Sequence, residues 1–260
     1  MDPSLLNYFT KQIKLHQIII EYLDETEHIE EKFLNCQTFL NDNNILENKS
    51  EFSEFIHLLI KISNDHYCDN DIFEIVNLIN PYLKEIQNNY SNSEIFQMFK
   101  SNKRILLYLF QNGILAPTAQ ITKILSTSHY TNLNYSAFLY PELNIKEKCI
   151  HLNENNEEII QDYMSSKSNQ DIFDSLRKEG ENDDDVCKFI RDDFVDEFIS
   201  YKNEKHLDLS SKIPFSLFET HNFLIEHPPT LIEYAAFFGS VQIFKYLLMH
   251  HCPYTQMIWL

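Results

Sequence analysis

"TLIEYAAFFGSVQIFKYLLMHH", residues 230–251, decides how the rest of the chain is read. It follows a stiff His227-Pro228-Pro229, so Thr230 stands at the N-cap of a helix with Ile232, Ala235 and Ala236 on one apolar face. Small alanines on that face let a second helix come close. Gly239 breaks the helix where the chain must reverse, and Val241, Phe244, Leu247 and Leu248 then form the face turned back toward the first helix. The spacing predicts two antiparallel helices, 230–238 and 240–249, turning at Gly239. On this reading Ala235 is a packing residue and Tyr234 lies nearer the exposed side, so replacing Tyr234 by Ala is expected to cost less than enlarging Ala235.

Working outward, the same periodicity recurs. In "EFSEFIHLLIKIS" the residues Phe52, Phe55, Ile56, Leu59 and Ile62 fall at three- and four-residue steps. "DNDIFEIVNLINPYLKEI" repeats the pattern with Ile72, Ile75, Val76 and Ile79, with Asp71 as its cap and Pro81 as a kink or stop. "SNSEIFQMFKSNKRILLYLFQNG" reads as two short helices broken at "KSNK" and closed by Gly113 in a left-handed conformation. Strict alternation is hard to find, and the chain holds only 3 glycines in 260 residues. Phosphate-cradling loops and tight β-hairpins consume glycine. The expected fold class is therefore all-α, a run of antiparallel helix pairs.

Charge narrows the function classes. The net charge is -18, from 39 acidic and 21 basic side chains, and no basic stripe offsets it. Such a surface repels phosphate, so neither nucleic acid nor an anionic membrane is an expected partner. The start, "MDPSLLNYFTKQIKLHQIII", lacks a basic segment followed by an unbroken apolar run, and no stretch approaches the length of a membrane span. The five cysteines (36, 68, 149, 187 and 252) are scattered and never form a C-x-x-C pair, as expected of free thiols in a reducing, cytoplasmic setting. The sequons at Asn48, Asn89 and Asn134 are then chance matches.

No catalytic motif is present: neither G-x-S-x-G nor H-E-x-x-H occurs. His250, His251 and Cys252 are adjacent, so on a helix they point about 100° apart, and no second cluster at zinc-ligand spacing supports them. "DHYCDND", residues 65–71, needs no reading beyond a polar loop between helices. "RKEGENDDDV", residues 177–186, lacks calcium-loop spacing and reads as a solvated linker or a helix N-terminus. It is also the expected boundary, dividing 1–180 from 181–260. No cofactor or metal is expected.

The 230–251 stretch resembles the ankyrin repeat, whose opening is T-P-L-H-x-A. Thr230, Ile232 and Ala235 stand at its Thr, Leu and Ala, Gly239 at the inter-helix glycine, and Leu247-Leu248 at the leucines of the second helix. Leu231 replaces the proline, Glu233 the histidine, and His251 the capping glycine. Two further segments align with the second helix: "DFVDEFISY" matches Val195 with Val241 and Phe198 with Phe244, and "RILLYLFQNG" matches Tyr108 with Tyr246 and Leu109 with Leu247. The first of these spacings exceeds an ankyrin period of about 33 and requires an insertion including "PFSLFETHNFLIE". Ile258-Trp259-Leu260 reads as the opening of another first helix, so the last repeat is read as truncated, and a non-functional truncated fragment stays open as an alternative.

Taken with "FKSNKRILLYLF", "SLFETHNFLIEHPPTLIEYAAFFGSVQIFKYLL" and the final "WL", the arrangement resembles a family of ankyrin proteins of protozoan parasites that carry an N-terminal helical domain. The resemblance implies an ankyrin-like helical solenoid in the C-terminal part and a non-enzymatic role in binding another protein. The expected contact residues are exposed positions of the first helix: Glu233, Tyr234, Phe237 and Phe238. Phe237 and Phe238 have an alternative use, packing against a neighbouring repeat. A second function class stays open, an enzyme or small-molecule binder in the N-terminal helical domain; a pocket ringed by convergent ionisable side chains would favour it.

Overall fold

In the computed structural model, the described residues are 3–25, 27–65, 71–125, 135–143 and 154–255. Among them the secondary structure is helical and contains no strand; Lys212 and Thr230 form one isolated antiparallel bridge. None of these helices is long and apolar enough to cross a membrane. Residues 66–70 of the "DHYCDND" loop, Cys149, Asn134 and the 256–260 segment lie outside the described residues.

The chain forms two compact units, Met1–Thr122 and Lys123–Leu260. The first contains α1 (Pro3–Leu23), α2 (Ile29–Asp42), α3 (Lys49–Asp65), α4 (Asp71–Ile79), α5 (Leu83–Asn89), α6 (Asn92–Phe99) and α7 (Lys103–Gln111); α8 (Ala119–Leu125) spans the division. Its boundaries follow local chemistry. Phe52, Phe55, Ile56, Leu59 and Ile62 are all buried along α3, as their spacing predicts. At Pro81 the helix gives way to a single 3-10 turn, Asn80–Tyr82, because proline removes a donor the α-helical ladder needs. Ser91 and Glu94 form a capping box at the start of α6, and Asn102 caps α7 by accepting the Ile105 N–H at 2.9 Å. Gly113 ends this pair at φ +68, the left-handed conformation expected of it.

The second unit contains α9 (Glu154–Met164), α10 (Lys167–Glu179), α11 (Asp185–Arg191), α12 (Val195–Lys205), α13 (Asn222–Glu226), α14 (Leu231–Phe237) and α15 (Val241–Met249). The 177–186 stretch, expected to be a solvated linker, lies inside this unit. Arg177 is only 1% exposed; it pairs with Glu142 and Asp174 and donates to the Phe138 carbonyl at 2.9 Å. Asp184 caps α11 by accepting the Val186 N–H at 2.9 Å, so part of the acidic run does serve a helix N-terminus.

The 230–249 hairpin forms as its spacing predicts: α14 and α15 pack together across a turn in which Gly239 adopts φ +69. The apolar face of α15 differs from expectation. Ile243 and Leu247 are buried against α14, whereas Val241 and Leu248 are exposed and Phe244 is half-buried. The second helix is apolar around more than one flank, and periodicity alone does not say which flank meets α14.

Helices α11 and α12 form a second hairpin in the same register. Its N-cap Asp184 lies 46 residues before Thr230, and Asp193, at φ +53, lies 46 before Gly239. The two hairpins sit side by side, α11 against α14 and α12 against α15. Two polar hooks join them. Asp193 Oδ1 accepts the N–H groups of Gln242 and Ile243 at 3.0 and 2.9 Å, capping α15 from the neighbouring hairpin, and the Ser240 hydroxyl donates to the Ile190 carbonyl.

The α6–α7 hairpin ends in the same way as α14–α15. Gly113 and Ile114 donate to Phe110 and Leu109 carbonyls, and His251 and Cys252 donate to those of Leu248 and Leu247. Both are Schellman closures, with His251 at φ +54 in the role Gly113 plays at +68.

Candidate interaction surface

The residues expected to contact a partner lie on α14 and at its C-cap, Phe238, and two of the four are buried rather than exposed. Tyr234 is 0% exposed and Glu233 is also buried; Phe237 and Phe238 are half-buried. Helix α14 is covered by α11 on one flank and α15 on another, so a seven-residue helix has little free surface left.

Glu233, three residues after the cap residue Thr230, organises the helix start. Thr230 donates its N–H and hydroxyl to Glu233 Oε2 at 2.8 and 3.0 Å. Thr255 donates its N–H and hydroxyl to Oε1 at 2.7 and 2.6 Å. The carboxylate thereby satisfies the cap residue and ties down the chain that follows α15. Burial acts to raise this carboxyl's pKa, but the hydrogen bonds from Thr230 and Thr255 outweigh it and hold the group below its ordinary value.

Tyr234 points into the joint between the two hairpins. Its hydroxyl accepts from Arg191 Nη1 at 3.0 Å, the same nitrogen donating to the Asn182 carbonyl at 2.9 Å, while Arg191 Nε pairs with Glu181 at 2.7 Å. The buried Cys187 lies in the same cluster. Burial pushes the Tyr234 hydroxyl and the Cys187 thiol well above their usual values, so both remain protonated at neutral pH. This is a structural junction, and an inert thiol.

Phe237 and Phe238 are packed against other rings. The Phe237 ring lies 4.7 Å from His221 and stacks on Phe223 at 6.1 Å; Phe238 lies 4.6 Å from Tyr234 and 6.0 Å below the Arg191 guanidinium. These neighbours come from the hairpins and from the 206–229 insertion, which the 46-residue spacing had required.

That insertion builds a feature sequence reading missed, a cleft of about 550 Å³ with Tyr234 among its lining residues. Ile213, Pro214, Leu224 and Pro229 give it apolar walls, and Lys212 and Glu226 also line it. The Ile213 N–H donates to the Pro229 carbonyl at 2.8 Å and pins the two walls together. The buried polar groups in the lining are used by the fold: Asn182 donates to the Pro214 carbonyl at 2.8 Å, the Ser216 hydroxyl donates to Asp183 at 2.7 Å, and Glu219 accepts the His221 N–H at 2.8 Å. Phe215, also in the lining, is 53% exposed. Among the described residues no cluster of His, Cys, Asp and Glu is arranged to hold a metal ion. No protein-family model, curated protein or solved structure matches the chain.

Proposed function

We propose that the chain is a non-enzymatic, cytoplasmic protein-binding module of the ankyrin type, whose helical hairpins carry a contact surface beside α14. The observation that carries this reading is the side-by-side packing of two hairpins in one 46-residue register, first helix on first and second on second. Repeats that bury their apolar faces on one another generate extended surfaces suited to protein partners. The positive φ at Asp193 and Gly239 and the Schellman closures support the same reading.

The contact surface is the mouth of the cleft, with Phe215, Lys212 and Glu226 in its lining, in place of the buried Glu233 and Tyr234. An exposed aromatic at the edge of an apolar cleft is suited to anchoring a partner's apolar side chain.

The test is affinity capture with chemical cross-linking from extracts of the source cells. Wild type is compared with Phe215→Ala, Lys212→Glu and, as a distant control, Leu34→Ala. The expected result is one set of cross-linked partners that falls about tenfold with the first two variants and persists in the third. Partners held equally by all four proteins would refute the assigned surface.

A further inference from the structure

The α1 helix carries large apolar residues on two faces, and only one of them is used within its own unit. Leu15, Ile18, Ile19, Tyr22 and Leu23 are buried in the core. The side carrying Tyr8, Lys11 and Gln12 meets α3 and the end of α2: Tyr8 and Gln12 bond Glu54, and Lys11 bonds Glu51 and the Asn43 carbonyl. On the remaining side Leu5, Leu6, Phe9 and Ile13 are 46, 55, 48 and 60% exposed. Beyond them His16 is exposed and Ile20 half-buried. Four large apolar side chains on one side of the helix are thus left in water.

The spacing along that face is itself informative. Leu6, Phe9, Ile13, His16 and Ile20 follow one another at steps of three, four, three and four. That is the a/d alternation of a coiled-coil seam, the pattern that seats one helix in the holes of another. The positions flanking the seam, Thr10, Gln12 and Gln17, are uncharged. No acidic residue occurs from Pro3 to Ile20, in a chain whose net charge is -18. Two copies of a strongly acidic protein repel each other over most of their surfaces, and this helix is a place where they can meet without juxtaposing carboxylates.

We propose that the occupant of this face is a second copy of the chain, paired α1 against α1 about a twofold axis passing near Ile13. Ile13 is the midpoint of the Leu6–Ile20 seam, so in a parallel or an antiparallel pair it faces its own counterpart. Leu6 meets its counterpart only in the parallel pair and lies near Ile20 in the antiparallel one. The pairing is independent of the partner-binding surface beside α14.

Sedimentation equilibrium of the whole chain from about 1 to 200 μM reads the outcome. The expected result is a reversible dimer for wild type and for Leu34→Glu, which alters an exposed apolar residue of α2, and a monomer for Phe9→Glu/Ile13→Glu. Circular dichroism should show that the double variant keeps its helix content. An independent reading comes from oxidation of Ile13→Cys, expected to give a cross-linked dimer that wild type does not give; Leu6→Cys then distinguishes the two orientations. A wild type that stays monomeric throughout overturns the proposal, including one that instead coats zwitterionic vesicles. So does a dimer that survives the double variant, or one that leaves Ile13→Cys uncross-linked.

Discussion

Tyr234 joins three things at once: it fills the space between two hairpins, accepts from Arg191, and lines the cleft. Truncating a fully buried aromatic costs about 3–5 kcal/mol. Ala235→Leu, which overpacks the same helix, costs about 1–3 kcal/mol. Urea midpoints should therefore rank Tyr234→Ala below Ala235→Leu, the reverse of what the spacing alone predicts. Tyr234→Phe should lose only about 1 kcal/mol, since Arg191 Nη1 keeps the Asn182 carbonyl. Glu233 carries a pH signature at the same scale. Its folded pKa lies below the carboxyl's ordinary value of 4.5. Its stabilising contribution is thus present above that unfolded value and is lost as pH falls through the folded one. The urea midpoint gap between wild type and Glu233→Gln should be widest near pH 6 and shrink below pH 4. A gap that does not change over this range would mean the carboxylate's charge contributes nothing.

Asp193 matters at the scale of elements, because its carboxylate supplies the N-terminal cap that α15 lacks within its own hairpin. Ser240, the residue before α15, makes no such side-chain bond to the helix N-terminus and instead donates to Ile190. Asp193→Ala should cost about 0.5–2 kcal/mol, and Asp193→Asn less, since Asn also accepts and tolerates a positive φ. Amide exchange at Gln242 and Ile243 should accelerate in the Ala variant while the α6–α7 hairpin is unchanged. The register that brings Asp193 to α15 was visible in the match of Val195 with Val241, but the hook itself was not. An aspartate 49 residues from Gln242 gives no local signal, and its partners are backbone amides that any sequence has.

For the molecule as a whole, the charge of -18 predicts that duplex DNA and RNA are not bound with nanomolar affinity near physiological salt. Fluorescence anisotropy at about 150 mM salt checks this, and tight, salt-sensitive binding would contradict it. The same charge disfavours self-association through acidic faces, and among the described helices α1 has the longest run without an acidic residue. Among the described residues the partition into two units follows neither composition nor glycine content. The charged 177–186 stretch resembles a linker in one dimension, yet Arg177 and Asn182 are buried in it because carboxylates and carbonyls from distant segments satisfy them.

What the sequence by itself determined is whatever rests on neighbours along the chain. The helices of 49–65, 92–99 and 103–111, the interruption at Pro81, the Ser91–Glu94 cap and the reversal at Gly239 all follow from short-range sterics and hydrogen bonding. Only tertiary structure decided which flank of each apolar helix is covered. Helix α14 presents Leu231, Ile232, Tyr234 and Ala235 around most of its circumference, and all four are buried because α11, α15 and the 206–229 insertion approach from different directions. Periodicity marks a helix as amphipathic when one side is in water; it cannot choose among several apolar sides. The cleft, the Glu233–Thr255 clamp and the Asp193 cap likewise depend on contacts between residues far apart in the chain, where burial energy and the need to satisfy backbone groups select the partners.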